Sequence, residues 1–302
     1  MQVLVIGPAF LDVVAAPVGR LPGPGEELRT DAVALAPGGF AIAATALCRL
    51  GVEAALASPI GDDSAGRFLA LSLEAEGVPL VRSGSKRTPV TIALNLRGDR
   101  GFLTAGFPTD EELLLAGRSA LESHPDCEAV HLSCRGPFAE DLARMARAEG
   151  RFVSMDCGTD PAWLRSASLR RVLSLADLYL PSAREAVLVT GRDGVRDAAA
   201  ALLDVVPRAL VKLGPEGVLS VGPNGVEIHP TTPREAIDAT GAGDVFDAGY
   251  LAGRVHGLGE AGAIRLGQYA AGCAVGALGG ASAAPTLAAA RTALPDLCWS
   301  GT

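Results

Sequence analysis

The chain has 302 residues, 49% of them apolar and 20% charged, a balance that supplies a packed core and excludes a disordered chain. Its net charge of −8 and pI near 5.1 exclude the basic footprint of a nucleic-acid-binding protein. A phosphate-bearing ligand would have to be held locally, by amides, a metal ion and a few cations, and lysine occurs only at Lys86 and Lys212.

Cys48, Cys127, Cys134, Cys157, Cys273 and Cys298 form no C-x-x-C pair, and with the scattered histidines they offer no zinc spacing. Reduced, mostly buried thiols in a cytoplasmic protein are expected. The start, MQVLVIGPAF, lacks the basic region and cleavage site of a signal peptide.

In chain order, Gln2 to Ile6 is an apolar run ending at Gly7, the pattern of a buried parallel strand. Phe10 and Asp12 follow the expected strand end; a lone Phe either stacks on a ligand ring or, more commonly, packs. Leu21 to Ala36 is rich in Pro and Gly and then alternates loosely, which predicts a loop and one or two short strands. Gly38 and Gly39 open a helix that ends near Gly51, and such a pair either forms an ordinary helix entry or lets a ligand approach the backbone. Ala54 to Ile60 predicts a strand and the residues up to Gly77 a helix. Thr88 to Leu96 and Arg100 to Phe107 predict a hairpin with a turn signal at Gly98-Asp99.

From Glu111 the pattern becomes regular. Helices are expected at Leu113 to Leu121 and Phe138 to Glu149, and strands at Ala129 to Leu132, Phe152 to Met155, Leu178 to Leu180 and Ala209 to Leu213. Such alternation implies a mainly parallel sheet covered on both faces, with ligands outside the carboxyl ends of its strands. Phe10 to Asp12, Ser182 and Glu185 are each expected just after such an end. Val218 to Val221 and Val226 to Ile228 read as a hairpin. Neither a Walker A pattern nor a Rossmann G-x-G-x-x-G after the first strand is present, which disfavours a P-loop kinase and a dinucleotide oxidoreductase together. Leu266 to Ala290 is uncharged, but Gln268, several glycines and Pro285 interrupt it, so a helix, a turn and a second helix are expected and not a membrane span.

The most informative stretch is DATGAGDVFDAGYL, Asp238 to Leu251. Gly-rich backbone opens into an apolar-periodic run, so the amides of Gly241, Ala242, Gly243 and Asp244 are expected at a helix N-terminus, a place that binds anions. Asp244 beside such an anion hole reads as a general base facing a substrate hydroxyl, or else as an acidic first-turn residue favoured by the helix dipole.

GAGD with an aromatic two residues on resembles the signature of the ribokinase-like (PfkB) carbohydrate kinase family. The Gly38-Gly39 helix entry, the Gly61-Asp62-Asp63 turn with Gly66, Pro181-Ser182-Ala183-Arg184-Glu185 and the Gly214-x-x-Gly217 turn extend the resemblance along the chain. It implies a three-layer α/β fold, a mainly parallel sheet with helices on both faces, as one domain over 1–302. A small β-sheet lid would be inserted, built from approximately 12–36 and 86–108. It implies phosphorylation of a hydroxymethyl group of a sugar or sugar-like molecule by ATP and magnesium. Asp244 would be the base, and Gly241, Ala242 and Gly243 the anion hole. Asp12, Phe10, Gly38, Gly39 and Ala43 would line the acceptor site. Ser182, Lys212, Gly214, Gly217, Thr240 and Gly280 would serve the nucleotide. Glu185 would hold magnesium through water, and Asp238 with Ser282 a potassium ion.

Phe10, Ala43 and Ser182 stand where the family carries Asn, so a nucleoside kinase of the same family, or a ligand-binding protein that kept the fold, are the alternatives. Lid strands with open edges suggest a homodimer through the lid; no nucleic acid or membrane is expected as a partner.

Overall fold

A computed structural model of the chain describes residues 1–96, 99–158 and 160–299. Its strands are β1 (Val3–Ile6), β2 (Ala9–Val18), β3 (Val33–Gly39), β4 (Ala54–Ile60), β5 (Leu80–Gly84), β6 (Val90–Leu96), β7 (Asp99–Ala105), β8 (Ala129–Ser133), β9 (Phe152–Asp156), β10 (Leu178–Tyr179), β11 (Ala209–Lys212), β12 (Val218–Gly222) and β13 (Gly225–His229). Its α-helices are α1 (Phe40–Arg49), α2 (Ser64–Ala75), α3 (Asp110–Ser123), α4 (Phe138–Ala148), α5 (Pro161–Leu164), α6 (Ala167–Leu173), α7 (Ala183–Thr190), α8 (Val195–Ala201), α9 (Ala242–Val255), α10 (Gly259–Ala274) and α11 (Leu287–Ala293). The strands form a nine-stranded sheet, ordered β13-β12-β11-β10-β9-β8-β1-β4-β5, and a four-stranded sheet, ordered β3-β2-β6-β7.

Two compact units result: Met1–Gly7 with Glu53–Ser58 and Thr109–Pro233, and Pro8–Val52 with Pro59–Pro108 and Arg234–Thr302. In the first unit, β1 runs parallel between β4 and β8, with Val3 opposite both Ala54 and Ala129. The parallel pairing continues through β9, β10 and β11 and turns antiparallel only in the β12–β13 hairpin. Every residue of β1 is buried, as a continuous apolar run requires when both faces of a sheet are covered. Helix α3 starts at a Thr109–Glu112 capping box, and its Gly117 leaves room for Leu142 of α4 and Ile6 of β1.

The thiol expectation needs correction here. Cys134 and Cys157 are joined by a disulfide, with their Cα atoms 5.0 Å apart. Ser133 and Asp156 are register partners on the parallel strands β8 and β9, so the residues that follow them emerge side by side. A separation of 23 residues leaves no local trace of that pairing in the sequence.

The second unit holds the four-stranded sheet and helices α1, α2, α9, α10 and α11. A second correction concerns β2. Phe10 and Asp12 do follow the end of β1, but they stand within a further ten-residue strand that the sequence did not announce. It pairs antiparallel with β3 and parallel with β6, so cross-strand pairing overrides the weak local alternation. The predicted hairpin is present, with Leu96 opposite Asp99; its Gly98 turn lies outside the described residues.

Helices α9 and α10 pack through small residues. A Cβ on Gly249 would lie 2.7 Å from the Gly267 Cα, and one on Gly253 would lie 2.5 Å from the Ala263 Cα. Backbone cannot yield as a side-chain tip can. Gly253→Val should therefore destabilise the protein by about 1–3 kcal/mol, the usual cost of overpacking. Urea unfolding of the variant against wild type measures it, and an unchanged midpoint would contradict this packing.

Candidate active site

The second unit carries the residues expected around the acceptor. Phe10 lies opposite Gly38 in the β2–β3 register. The Asp12 carboxylate occupies the space that a Cβ on Gly38 would fill, so only glycine fits there. Gly39 has φ +59° and caps α1, and a side chain on it would meet the Phe10 ring at 2.5 Å. Asp12 is buried, and burial together with the charge of Asp238 pushes its carboxyl up to about 7. The Phe10 ring lies 5.6 Å from that of Phe107, tilted by 44°. Ala43 is fully buried on α1.

The segment before α9 is tied down by Asp238. One carboxylate oxygen accepts from Thr240 N–H at 2.9 Å and from its hydroxyl at 2.7 Å; the other accepts from Gly279 N–H at 3.0 Å. Gly241 then caps α9 in the left-handed region, at φ +73°, with no side-chain cap on the helix. Asp244 falls in the first turn, as expected. Of the amides expected to hold an anion, that of Ala242 donates to Ala239 O at 3.3 Å, so this one is already engaged within the turn. Ser282 donates its hydroxyl to Gly279 O at 2.5 Å. Both side chains expected at a potassium ion are therefore committed to hydrogen bonds inside the protein.

The first unit carries the residues expected around magnesium and the nucleotide. Ser182 caps α7: its hydroxyl accepts from Glu185 N–H at 3.3 Å, and its own N–H donates to Glu185 Oε2 at 2.7 Å. Glu185 is buried, although it stands in the first turn of a helix. Burial and then the charge of Asp156 raise its carboxyl, while Lys212 and the Ser182 bonds oppose the rise. Lys212 Nζ lies 3.4 Å from Asp156 Oδ2. Ser182 and Lys212 form a lone parallel bridge, which brings the end of β11 beside the start of α7. Gly214 and Gly217, at φ +61° and +106°, make the tight turn into β12.

Asp156 and Arg135 belong to the same cluster and were not singled out from the sequence. Asp156 ends β9, and Arg135 follows β8 by two residues. Asp160, Asp156 and Glu185 all act on the Arg135 guanidinium, although burial lowers its proton affinity overall. Position just beyond the carboxyl end of a parallel strand was the available signal. Among the described residues no group of three or more Asp, Glu, His or Cys could hold a metal ion. The buried Glu185 and the partly buried Asp156 nonetheless fit magnesium, which commonly takes one or two carboxylates and completes its shell with water and phosphate oxygens.

The sequence model described as pfkB family carbohydrate kinase matches residues 1–287. A fructokinase of Klebsiella pneumoniae is 30% identical over an alignment of 314 residues, covering 97% of this chain and 96% of that one. A cytidine kinase of Thermococcus kodakarensis is 28% identical, covering 88% of this chain and 93% of its own length. Among solved structures, a ribokinase of Arabidopsis thaliana complexed with ribose and ATP superposes with a TM-score of 0.79 at 21% identity, covering 97% of this chain and 98% of that one. No helix among the described residues is long and apolar enough to cross a membrane.

Asp12 gives a pH test. Its folded value of about 7 lies above the ordinary 3.8, so between those values the folded protein binds more protons than the unfolded chain. Stability contributed by this group is therefore lost as pH rises through that window. Asp12→Asn should remove the loss, gaining on wild type from pH 4 to pH 7 by up to roughly 4 kcal/mol. Urea unfolding of both proteins across the window measures it; parallel pH profiles would clear Asp12 of the effect.

Proposed function

Because the chain belongs to the pfkB family of carbohydrate kinases, we propose that it transfers the γ-phosphoryl group of ATP to a hydroxymethyl group of a sugar or sugar-like molecule. Membership makes it a phosphotransferase with an alcohol acceptor. The observation that carries the finer reading is the start of α9, where a helix without a side-chain cap presents its positive end and Asp244 stands in the first turn. Asp244 takes the proton of the attacking hydroxyl as that oxygen bonds to the γ-phosphorus and ADP leaves. The amides of Gly241 and Gly243 stabilise charge on the transferring group, with Ala242 holding the turn.

Asp12 orients the acceptor through its hydroxyls, and Gly38 and Gly39 allow close approach. Correct orientation alone accounts for much of the rate gain in such a reaction. Glu185, with Asp156, holds magnesium when it is bound, and the ion neutralises phosphate charge. Thr240, Ser182, Lys212, Gly214, Gly217 and Gly280 serve the nucleotide. Residues 1–302 act as one catalytic domain with its lid, in the cytoplasm, where ATP is supplied.

A nucleoside acceptor is the second reading. The Phe10–Phe107 ring pair favours it, because it offers an aromatic face where a sugar kinase would place a polar contact.

We further propose that the lid sheet pairs two copies of the chain. Leu35, Val13, Ile92 and Leu103 form one cross-strand row, and Leu35, Ile92 and Leu103 are 53%, 40% and 67% exposed. An apolar row of this kind facing water is the mark of an interface.

Asp244→Asn should keep the melting temperature within a few degrees and lower kcat by about 100- to 10,000-fold. ADP release with Mg-ATP, measured over a panel of neutral sugars, sugar acids and nucleosides, tests this and identifies the acceptor class. Undiminished turnover in the variant would remove the base assignment. For the lid, wild type should sediment as a dimer, and Leu35→Glu with Leu103→Glu as a monomer; identical sedimentation of the two proteins would refute the pairing.

A further inference from the structure

Arg49, the last residue of α1, makes an unusual set of contacts. Its Nη1 donates to three main-chain carbonyls of one loop, Ala281 O at 2.8 Å and Ser282 O and Ala284 O at 3.0 Å each. Its other edge is gripped by Glu76, Nε to Oε2 at 2.7 Å and Nη2 to Oε1 at 2.6 Å. The guanidinium is thus a half-buried cation shared between a carboxylate and a cage of carbonyl oxygens. Lysine could not reproduce it, because a point charge on a flexible stem has no planar fork to face both partners.

The loop so held is tight and leads to the start of α9. Ala284 N–H donates to Ala281 O, and Ser282 N–H to Gly279 O. Gly279 N–H donates to Asp238, and the Cα of Gly280 lies 2.9 Å from where a Cβ on Gly241 would be. Ile42, two turns before Arg49 on the same helix, fills the space beside both Gly241 and Gly280. One helix therefore presses on the cap of α9 directly through Ile42 and clamps the loop behind that cap through Arg49.

We propose that Arg49 is a positioning residue for phosphoryl transfer. Clamped by Glu76, it fixes the 279–284 loop, and the loop fixes Gly241 and the first-turn amides of α9. Arg49 acts through the loop and not by contact with a reacting atom. Its effect on turnover rests on the kinase reading given above; its effect on the backbone does not.

The test uses Arg49→Ala, Arg49→Lys and Glu76→Gln in the full chain, with Arg265→Gln, which breaks the exposed Arg265–Asp296 pair of the same unit, as control. Amide hydrogen exchange should quicken at Gly279, Ser282, Ala284, Gly241 and Gly243 in both Arg49 variants, less in Glu76→Gln, and not in Arg265→Gln. In Arg49→Ala, kcat should fall by about 100-fold, the scale of a small misplacement, with the acceptor KM little changed. Free guanidinium ion, well below denaturing concentrations, should restore part of kcat in Arg49→Ala but not in Arg49→Lys.

Wild-type exchange at Gly241 and Gly243 in the Arg49 variants would overturn the proposal. So would a loss of kcat that only tracks the melting temperature and resists guanidinium. If wild type turns over no acceptor, the kinase reading fails, and the exchange pattern alone decides whether Arg49 sets the cap.

Discussion

The chain can pass from Asp238 into α9 only through a residue without a side chain. Gly241 sits at φ +73°, and a Cβ there would meet Ile42 Cδ1 at 2.7 Å. Gly280 is under the same restriction, since its own Cβ would lie 2.8 Å from Ile42. Two bare backbone segments, one leaf of α1 and the Asp238 carboxylate that bridges the segments are thus mutually determined. Steric exclusion has an electrostatic consequence: no side-chain cap stands at the positive end of the helix.

Carboxylates in this acidic protein are not uniform. Asp12 and Glu185 are buried beside another carboxylate, and both are pushed toward the protonated form. A group held in that state is stabilised by whatever supplies hydrogen-bond donors or positive charge. Under the function proposed above, that partner would be a hydroxylated acceptor for Asp12 and a divalent cation with its waters for Glu185. Lys212, one of two lysines in the chain, stands at the second of these places. Arginines supply nearly all of the chain's cations, and with a net charge of −8 they form no basic field overall, which disfavours a polyanion as partner.

Much of the fold was legible because burial on both faces leaves unbroken apolar runs. Val3–Ile6, Ala54–Ile60 and the strands from Ala129 onward stand out in this way, as does the hairpin at Val218. β2 was not legible. Half of its residues face the other way, and the Pro8 start and the ensuing Pro- and Gly-rich stretch disguise a strand that exists because β3 and β6 pair with it. β5, short and only partly buried, carried too weak a pattern. Similarly, Cys134 and Cys157 meet only through the register of two parallel strands.

The same division runs through the candidate site. Residues that must be small for backbone reasons announce themselves in sequence, because glycine is nearly the sole answer to a positive φ or a filled Cβ position. Gly38, Gly39, Gly241, Gly214 and Gly217 were legible on that ground, and with them the neighbouring Asp12 and Asp244. Asp156, Arg135, Phe107 and Arg49 act through partners far along the chain: Arg49 alone reaches carbonyls 232 to 235 residues away. By itself the sequence determined the alternating α/β order, the uncapped helix start and the family resemblance, since each is written in local spacing. Only the tertiary structure decided which charges are buried together and what clamps the turn, because burial and long-range pairing are properties of the packed chain and of no segment within it.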